Sequence, residues 1–169
     1  MANPRKPFRI NVGFIVHEEV GYSHEIPLEL DKAVLGDDLE LVNFEGMIKI
    51  DRTPQGLVIQ GNFSGETTLE CVRCLNEFSF PLKWELTELY AFKKESVGES
   101  ELLIVPDSAQ IDLAPLLREY AILELPIKPL HSPDCKGLCI ECGQDLNVMD
   151  CGHSQENDDS PFAALKKLL

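Results

Sequence analysis

The chain has no apolar run near the ~20 residues needed to span a bilayer as a helix, and its mean hydropathy is close to neutral. Met1-Ala2-Asn3-Pro4-Arg5-Lys6-Pro7 carries basic side chains with no continuous apolar stretch behind it, so no secretory signal is expected. A soluble, cytoplasmic protein that works away from membranes is the expectation. Positive charge is also scarce: 15 Lys and Arg face 29 Asp and Glu, for a formal net charge of −14. Binding to a phosphate backbone relies on clustered cations that release counterions. The visible candidates are Arg5, Lys6 and Arg9 near the start and Lys166 and Lys167 at the end. A chain this acidic is better suited to a basic protein partner than to bare RNA, although excess acid also simply solubilises. Nothing points to a small-molecule substrate.

What is present is an ordinary globular composition, 44% hydrophobic and 26% charged over 169 residues, enough for one core with a small appendage. The first half alternates as strands do. Phe8 to Val16 predicts one strand and Glu25 to Leu30 a short second. Val42, Phe44, Ile48 and Ile50 share one parity, and Thr53-Pro54-Gln55-Gly56 predicts a turn. Leu57, Ile59, Phe63, Thr67, Leu69 and Cys71 form the next row, and Phe78, Phe80, Leu82, Trp84 and Leu86 a further one. Long strands with short connections imply an antiparallel sheet.

Near residue 111 the period changes. Asp112 can cap a helix, Pro115 is tolerated in a first turn, and Leu113, Leu116, Leu117 and Tyr120 fall on one face, with the helix ending before Pro126. The segment Lys93 to Pro106 has no evident element. Gln155 to Asp159 reads as an acidic linker, and Ser160-Pro161 predicts a short helix whose Phe162, Leu165 and Leu169 dock on the body.

The chemistry is concentrated in six cysteines and two histidines. In a cytosolic chain, clustered cysteines point to metal or redox chemistry before disulfides. Cys71-Val72-Arg73-Cys74 sits between two alternating segments, where a C-x-x-C turn aims both sulfurs at one ion. A thioredoxin-like pair wants a helix after its first cysteine, and here a strand pattern follows. Cys139-Ile140-Glu141-Cys142-Gly143 is a second such pair, with His131, Cys135, Cys151 and His153 around it. Eight donors divide into two four-coordinate sites, which suits zinc: one or two ions, two preferred. The preferred partition joins Cys71, Cys74, His131 and Cys135, leaving Cys139, Cys142, Cys151 and His153 as a local site. Two rivals stand beside it: one ion on Cys135, Cys139, Cys142 and Cys151, or a ribbon that pairs the two C-x-x-C units. A site of four sulfurs would also admit iron. With all four positions filled by protein, such centres are structural, because catalytic zinc keeps one position open. His17 and His24 have no donors nearby and are expected on the surface or in packing.

Residues 131–160 hold Asp134, Glu141, Asp145, Asp150, Glu156, Asp158 and Asp159 against Lys136 alone. A nucleic-acid finger would carry Lys and Arg on its recognition surface, so this block is better suited to a basic protein.

Glu70-Cys71-Val72-Arg73-Cys74-Leu75, the segment from Ile111-Asp112-Leu113 to Leu125-Pro126-Ile127, Asp134-Cys135-Lys136-Gly137-Leu138-Cys139-Ile140-Glu141-Cys142-Gly143 with Asp145-Leu146-Asn147, and Pro161-Phe162-Ala163-Ala164-Leu165-Lys166-Lys167-Leu168 resemble the bacterial YceD family. The resemblance covers most of the chain beyond about residue 35. It implies a role in accumulation of large-subunit ribosomal RNA, a gene often beside that of a zinc-type ribosomal protein, and no known enzymatic activity. Members often have cysteine where this chain has His131 and His153, and others keep a C-x-x-C and an H-x-x-x-C-like element without the second block. Both departures fit histidine ligation and the preferred partition.

The expectation is therefore an α+β protein. Residues 1–130 form a curved antiparallel or barrel-like body with the C-x-x-C hairpin and one central helix, and residues 131–169 form a zinc-binding segment with a terminal helix packed on the body. Its expected function is non-catalytic support of large ribosomal subunit assembly, with a basic ribosomal protein or preribosomal surface as partner. The alternatives are a thiol redox protein or zinc hydrolase, and a direct RNA-binding protein.

Overall fold

The computed structural model describes residues 7–93 and 103–153. The acidic stretch Gln155–Asp159 and the expected terminal helix lie outside them, as do Arg5, Lys6, Lys166 and Lys167. Element order is β1 (Arg9–Asn11), α1 (Gly13–Val16), β2 (Ser23–Leu35), β3 (Leu39–Arg52), β4 (Gly56–Glu70), β5 (Glu77–Ala91), β6 (Gln110–Asp112) and α2 (Ala114–Leu123). The chain divides into two compact units, one of Met1–Thr68 with Ser79–Pro126, the other of Leu69–Phe78 with Ile127–Leu169. The second unit takes in the Cys71–Cys74 turn, which a division at residue 130 would leave in the body.

The first unit is built on β2 to β5, a sheet in the linear order β2-β3-β4-β5, with antiparallel β2–β3 and β3–β4 pairs. The sheet is open: no hydrogen-bonded pairing among the described residues joins its two outer strands into a barrel. A separate two-stranded sheet pairs β1 with β6 antiparallel. Two helices are present among the described residues, the four-residue α1 and the ten-residue α2, where one central helix was expected.

Several local expectations change. The segment Phe8–Val16 is a three-residue strand followed by a helical turn, because the Asn11 side chain accepts from the Gly13 amide at 2.9 Å and Val12 O accepts from Ile15 and Val16. The short strand expected at Glu25–Leu30 is the middle of the 13-residue β2. Its inward row runs Leu28, Leu30 and then Ala33, Leu35, so its parity shifts midway and hides the length from a simple alternation. On β3 the shift falls at Val42–Glu45, where Asn43 has φ of 52°. Val42 consequently faces outward, and Leu41 is buried instead. Part of the unassigned 93–106 segment returns beside the end of β5, where Ala91 N donates to Leu103 O at 2.8 Å and Val105 N to Ala91 O at 3.0 Å.

Inside, Phe44, Phe63 and Trp84 stack across β3, β4 and β5 with centroids 5.5–6.0 Å apart. Gly46 pairs opposite Phe63, and Gly61 precedes it by two residues on the same face. A Cβ at Gly46 or Gly61 would lie 2.4 or 2.5 Å from the Phe63 ring, so the ring fills the space those glycines leave. α2 closes the core with Leu116, Leu117 and Ala121; Arg118 reaches the β2–β3 turn as a two-bond pair with Asp38, and Tyr120 donates to Glu88 at 2.7 Å. His24 packs edge-on against Phe14 at 4.9 Å, while His17 is exposed. No described helix is long and apolar enough to cross a membrane.

Candidate metal centres

The two C-x-x-C segments fold into the same turn. In the first, Cys71 N donates to Asn76 O at 2.9 Å and Leu75 N to Cys71 O at 2.9 Å; in the second, Cys139 N donates to Gln144 O at 2.8 Å and Gly143 N to Cys139 O at 2.9 Å. The fifth residue takes a left-handed conformation in both, Leu75 at φ 61° and Gly143 at φ 73°. This geometry turns backbone N–H groups inward onto the first sulfur: those of Arg73 and Cys74 onto Cys71, those of Glu141 and Cys142 onto Cys139. The trailing glycine of the second turn signals it in sequence. The first hides it behind a leucine.

Cys71, Cys74, His131 and Cys135 form one group and Cys139, Cys142, Cys151 and His153 the other, the donor atoms of each lying within 4.8 Å of one another. All eight sequence candidates are thus brought together, grouped as in the first of the three partitions. In the first group Cys71 Sγ lies 3.8 Å from Cys135 Sγ, and Cys74 Sγ 3.2 Å from His131 Nδ1. In the second, His153 Nδ1 lies 3.3 Å from Cys151 Sγ and 3.8 Å from Cys139 Sγ. A tetrahedral zinc with bonds of ~2.3 Å to sulfur and ~2.0 Å to nitrogen implies ligand–ligand edges of about 3.5–3.8 Å. A disulfide needs ~2.05 Å, and none of the six cysteines is in one. Each set offers three sulfurs and an imidazole, a composition compatible with zinc; the two 3.8 Å separations match those edges, and the 3.2 and 3.3 Å sulfur–nitrogen ones are slightly shorter.

Contacts around the donors hold them in place. Arg73 Nη1 donates to Cys135 O at 2.7 Å, and Leu138 N donates back to Arg73 O at 3.0 Å. Asn147 Nδ2 donates to Cys135 Sγ at 3.5 Å, its Oδ1 accepts from Lys136 N at 2.8 Å, and Asp145 Oδ1 in turn accepts from Asn147 at 2.7–2.8 Å. Glu141 Oε2 stands 3.8 Å from His153 Nε2, so a carboxylate faces one nitrogen while the other faces the sulfurs. Nothing in the type or spacing of these supporting residues marks the contacts they make.

The thiols are pulled apart in acidity. Burial pushes Cys71 up, but the His131 ring and the surrounding N–H groups outweigh it and hold the thiol at about 5. Beside it, burial pushes Cys74 up to about 11, against the Asn76 N–H and with the help of the neighbouring Cys71 and Cys135 sulfurs. In the second group the Cys142 and Glu141 amides hold Cys139 at about 6 against burial. Cys151 is drawn down by the His153 amide, yet burial and the Cys139 and Cys142 sulfurs leave it raised. Each thiolate in such a crowd opposes the next, and a central dication removes that opposition.

Among the described residues, the second unit buries little else. Its buried cluster is Cys71, Cys74 and Cys135, with Phe78, Leu130 and Leu138 packed against it. A core built of such donor groups is one that a bound metal would help to form.

The family model described as "Large ribosomal RNA subunit accumulation protein YceD" matches residues 59–169, a span that includes every donor above. An uncharacterized protein of Mycobacterium tuberculosis is 32% identical over 160 residues, covering 92% of this chain and 74% of its own. The uncharacterized protein YlbN of Bacillus subtilis is 32% identical over 108 residues, 63% of this chain and 62% of its own. In Arabidopsis thaliana, "Large ribosomal RNA subunit accumulation protein YCED homolog 1, chloroplastic" is 31% identical over 70 residues, 41% of this chain and 22% of its own. No solved structure matches.

Proposed function

Since the chain belongs to the YceD family, we propose that it is a non-catalytic, zinc-binding factor that supports accumulation of large-subunit ribosomal RNA and assembly of the large ribosomal subunit in the cytoplasm. The observation that carries this is the family match over residues 59–169, whose description names that role. Two zinc ions hold the second unit: one on Cys71, Cys74, His131 and Cys135, the other on Cys139, Cys142, Cys151 and His153. The donor sets support a structural role, since protein groups supply all four positions of each ion and leave none for water or substrate. The partner is a basic ribosomal protein or a preribosomal surface. A net charge of −14 supports a protein contact over bare RNA.

Deleting the gene is expected to lower large-subunit ribosomal RNA relative to small-subunit RNA. The wild-type chain restores the ratio and Cys71→Ser does not. An unchanged ratio contradicts the proposal. Affinity capture before and after nuclease separates the two modes of contact: ribosomal partners that persist without RNA support protein binding, and their loss supports direct RNA binding.

A further inference from the structure

The two donor groups share one turn but differ in what water reaches. In the first, the sulfur donors Cys71, Cys74 and Cys135 are 0%, 3% and 3% exposed, and His131 is exposed. In the second only Cys139 is buried; Cys142 is exposed, Cys151 half-buried and His153 exposed. The first group ties the Cys71–Cys74 turn to residues almost sixty positions away, whereas the second closes a local loop between Cys139 and His153. Losing the first would release the whole second unit, and losing the second would release only that loop. Cys139 is shielded and its sulfur is gripped by the Glu141 and Cys142 amides, which leaves Cys142 and Cys151 as the reachable pair. Glu141 and Asp150 flank the group, and a centre of three thiolates on one dication is itself anionic, so a neutral oxidant approaches it more readily than an anionic one.

We propose that the second centre is an oxidation site, at which hydrogen peroxide joins Cys142 to Cys151 as a disulfide and expels the zinc while the first centre stays intact. This rests on the donor groups being zinc centres. The Cys142 thiolate attacks one peroxide oxygen; the O–O bond breaks, hydroxide leaves, and the sulfur, now a sulfenic acid, has lost two electrons to the peroxide. The Cys151 thiolate then attacks that sulfur, the S–S bond forms, and the S–O bond breaks with departure of a second hydroxide. Two thiolates, one peroxide and two protons thus give one disulfide and two waters. The donor atoms already lie within 4.8 Å of one another, so the two sulfurs start close to the ~2.05 Å they must reach. Cys139 and His153 remain, and two ligands do not retain zinc against solvent.

The test treats the zinc-loaded full chain with hydrogen peroxide beside a chromogenic zinc chelator. One ion per chain is expected to appear at least about ten-fold faster than the other, with loss of two thiols. Peptide mapping by mass spectrometry then finds Cys142 linked to Cys151 and Cys71, Cys74 and Cys135 still reduced. Dithiothreitol with zinc restores the starting content. Release of both ions together, retention of both, or a disulfide that includes Cys71, Cys74, Cys135 or Cys139 overturns the proposal. Cys151→Ser adds a check: peroxide should leave Cys142 as a sulfenic acid trapped by dimedone, and no trapped adduct contradicts the first step. A native chain with fewer than two zinc ions before peroxide contradicts the zinc reading itself. Two ions released without preference contradict only the oxidation site.

Discussion

At the level of single residues, Leu75 and Gly143 occupy one position of one turn, yet only Gly143 suits it. A residue with a Cβ pays about 1–2 kcal/mol in the left-handed region, and nothing lies within 4 Å of a Cβ built at Gly143, so Gly143→Ala isolates that backbone term. Its expected effect is a loss of about 1–2 kcal/mol, read as a roughly five- to thirty-fold weaker zinc affinity in chelator competition. Leu75→Gly should be neutral or strengthen binding at the first centre, since removed strain offsets the added chain entropy. Asp38 gives a pH test. The Arg118 guanidinium bonded to it holds its carboxyl below the ordinary value. A depressed folded-state value means that the pair's contribution is present above the unfolded pKa of about 4 and fades as pH falls through the folded one. Asp38→Asn should therefore narrow the difference between urea midpoints at neutral and acid pH, and an unchanged difference would show the pair to be inert. All eight candidate donors that the structure gathers into two groups were legible in sequence, because their chemistry resides in residue type and spacing. Arg73, Asn147 and Glu141 were not, because an arginine, an asparagine and a glutamate reveal a contact only once the chain has turned.

Among the elements, strands whose parity is constant were legible and strands whose parity shifts were not. β4 and β5 keep their alternation for most of their length, as the rows through Ile59 and Phe63 and through Leu82 and Trp84 predict. β2 and β3 each carry an irregularity, so β2 looked half its length and Val42 was placed on the wrong face. The helix over Ala114–Leu123 was recognised from its apolar period, whereas the helical turn at Gly13–Val16 depends on an Asn11 side-chain bond that periodicity does not show. The aromatic stack supplies the prediction at this scale. Gly61→Ala drives a methyl into the Phe63 ring and is expected to cost about 1–3 kcal/mol. Asn62→Ala, on the outward face of the same strand, should stay within about 0.5 kcal/mol. Equal urea midpoints for the two variants would show that the ring does not depend on those glycines.

For the molecule as a whole, the two units differ in what sustains them. The first has a hydrophobic core running from Phe8 to Ala121, whereas the second, among the described residues, buries mainly its own sulfurs. Stripping metal with a strong chelator should therefore unfold the second unit and leave the first with its strand signal and cooperative melt. Exchange of backbone amides is the readout: rapid exchange is expected at Cys71, Leu75, Cys139 and Gly143, and continued protection at Ile48, Ile50 and Ile59. The fold of the first unit is independent of that outcome, but the proposed role is not, because the family match spans both donor groups. The most direct measurement is the metal content of the native chain by elemental analysis. Two zinc ions per chain are predicted, falling to one in Cys142→Ser; a native chain with fewer than two would contradict the account.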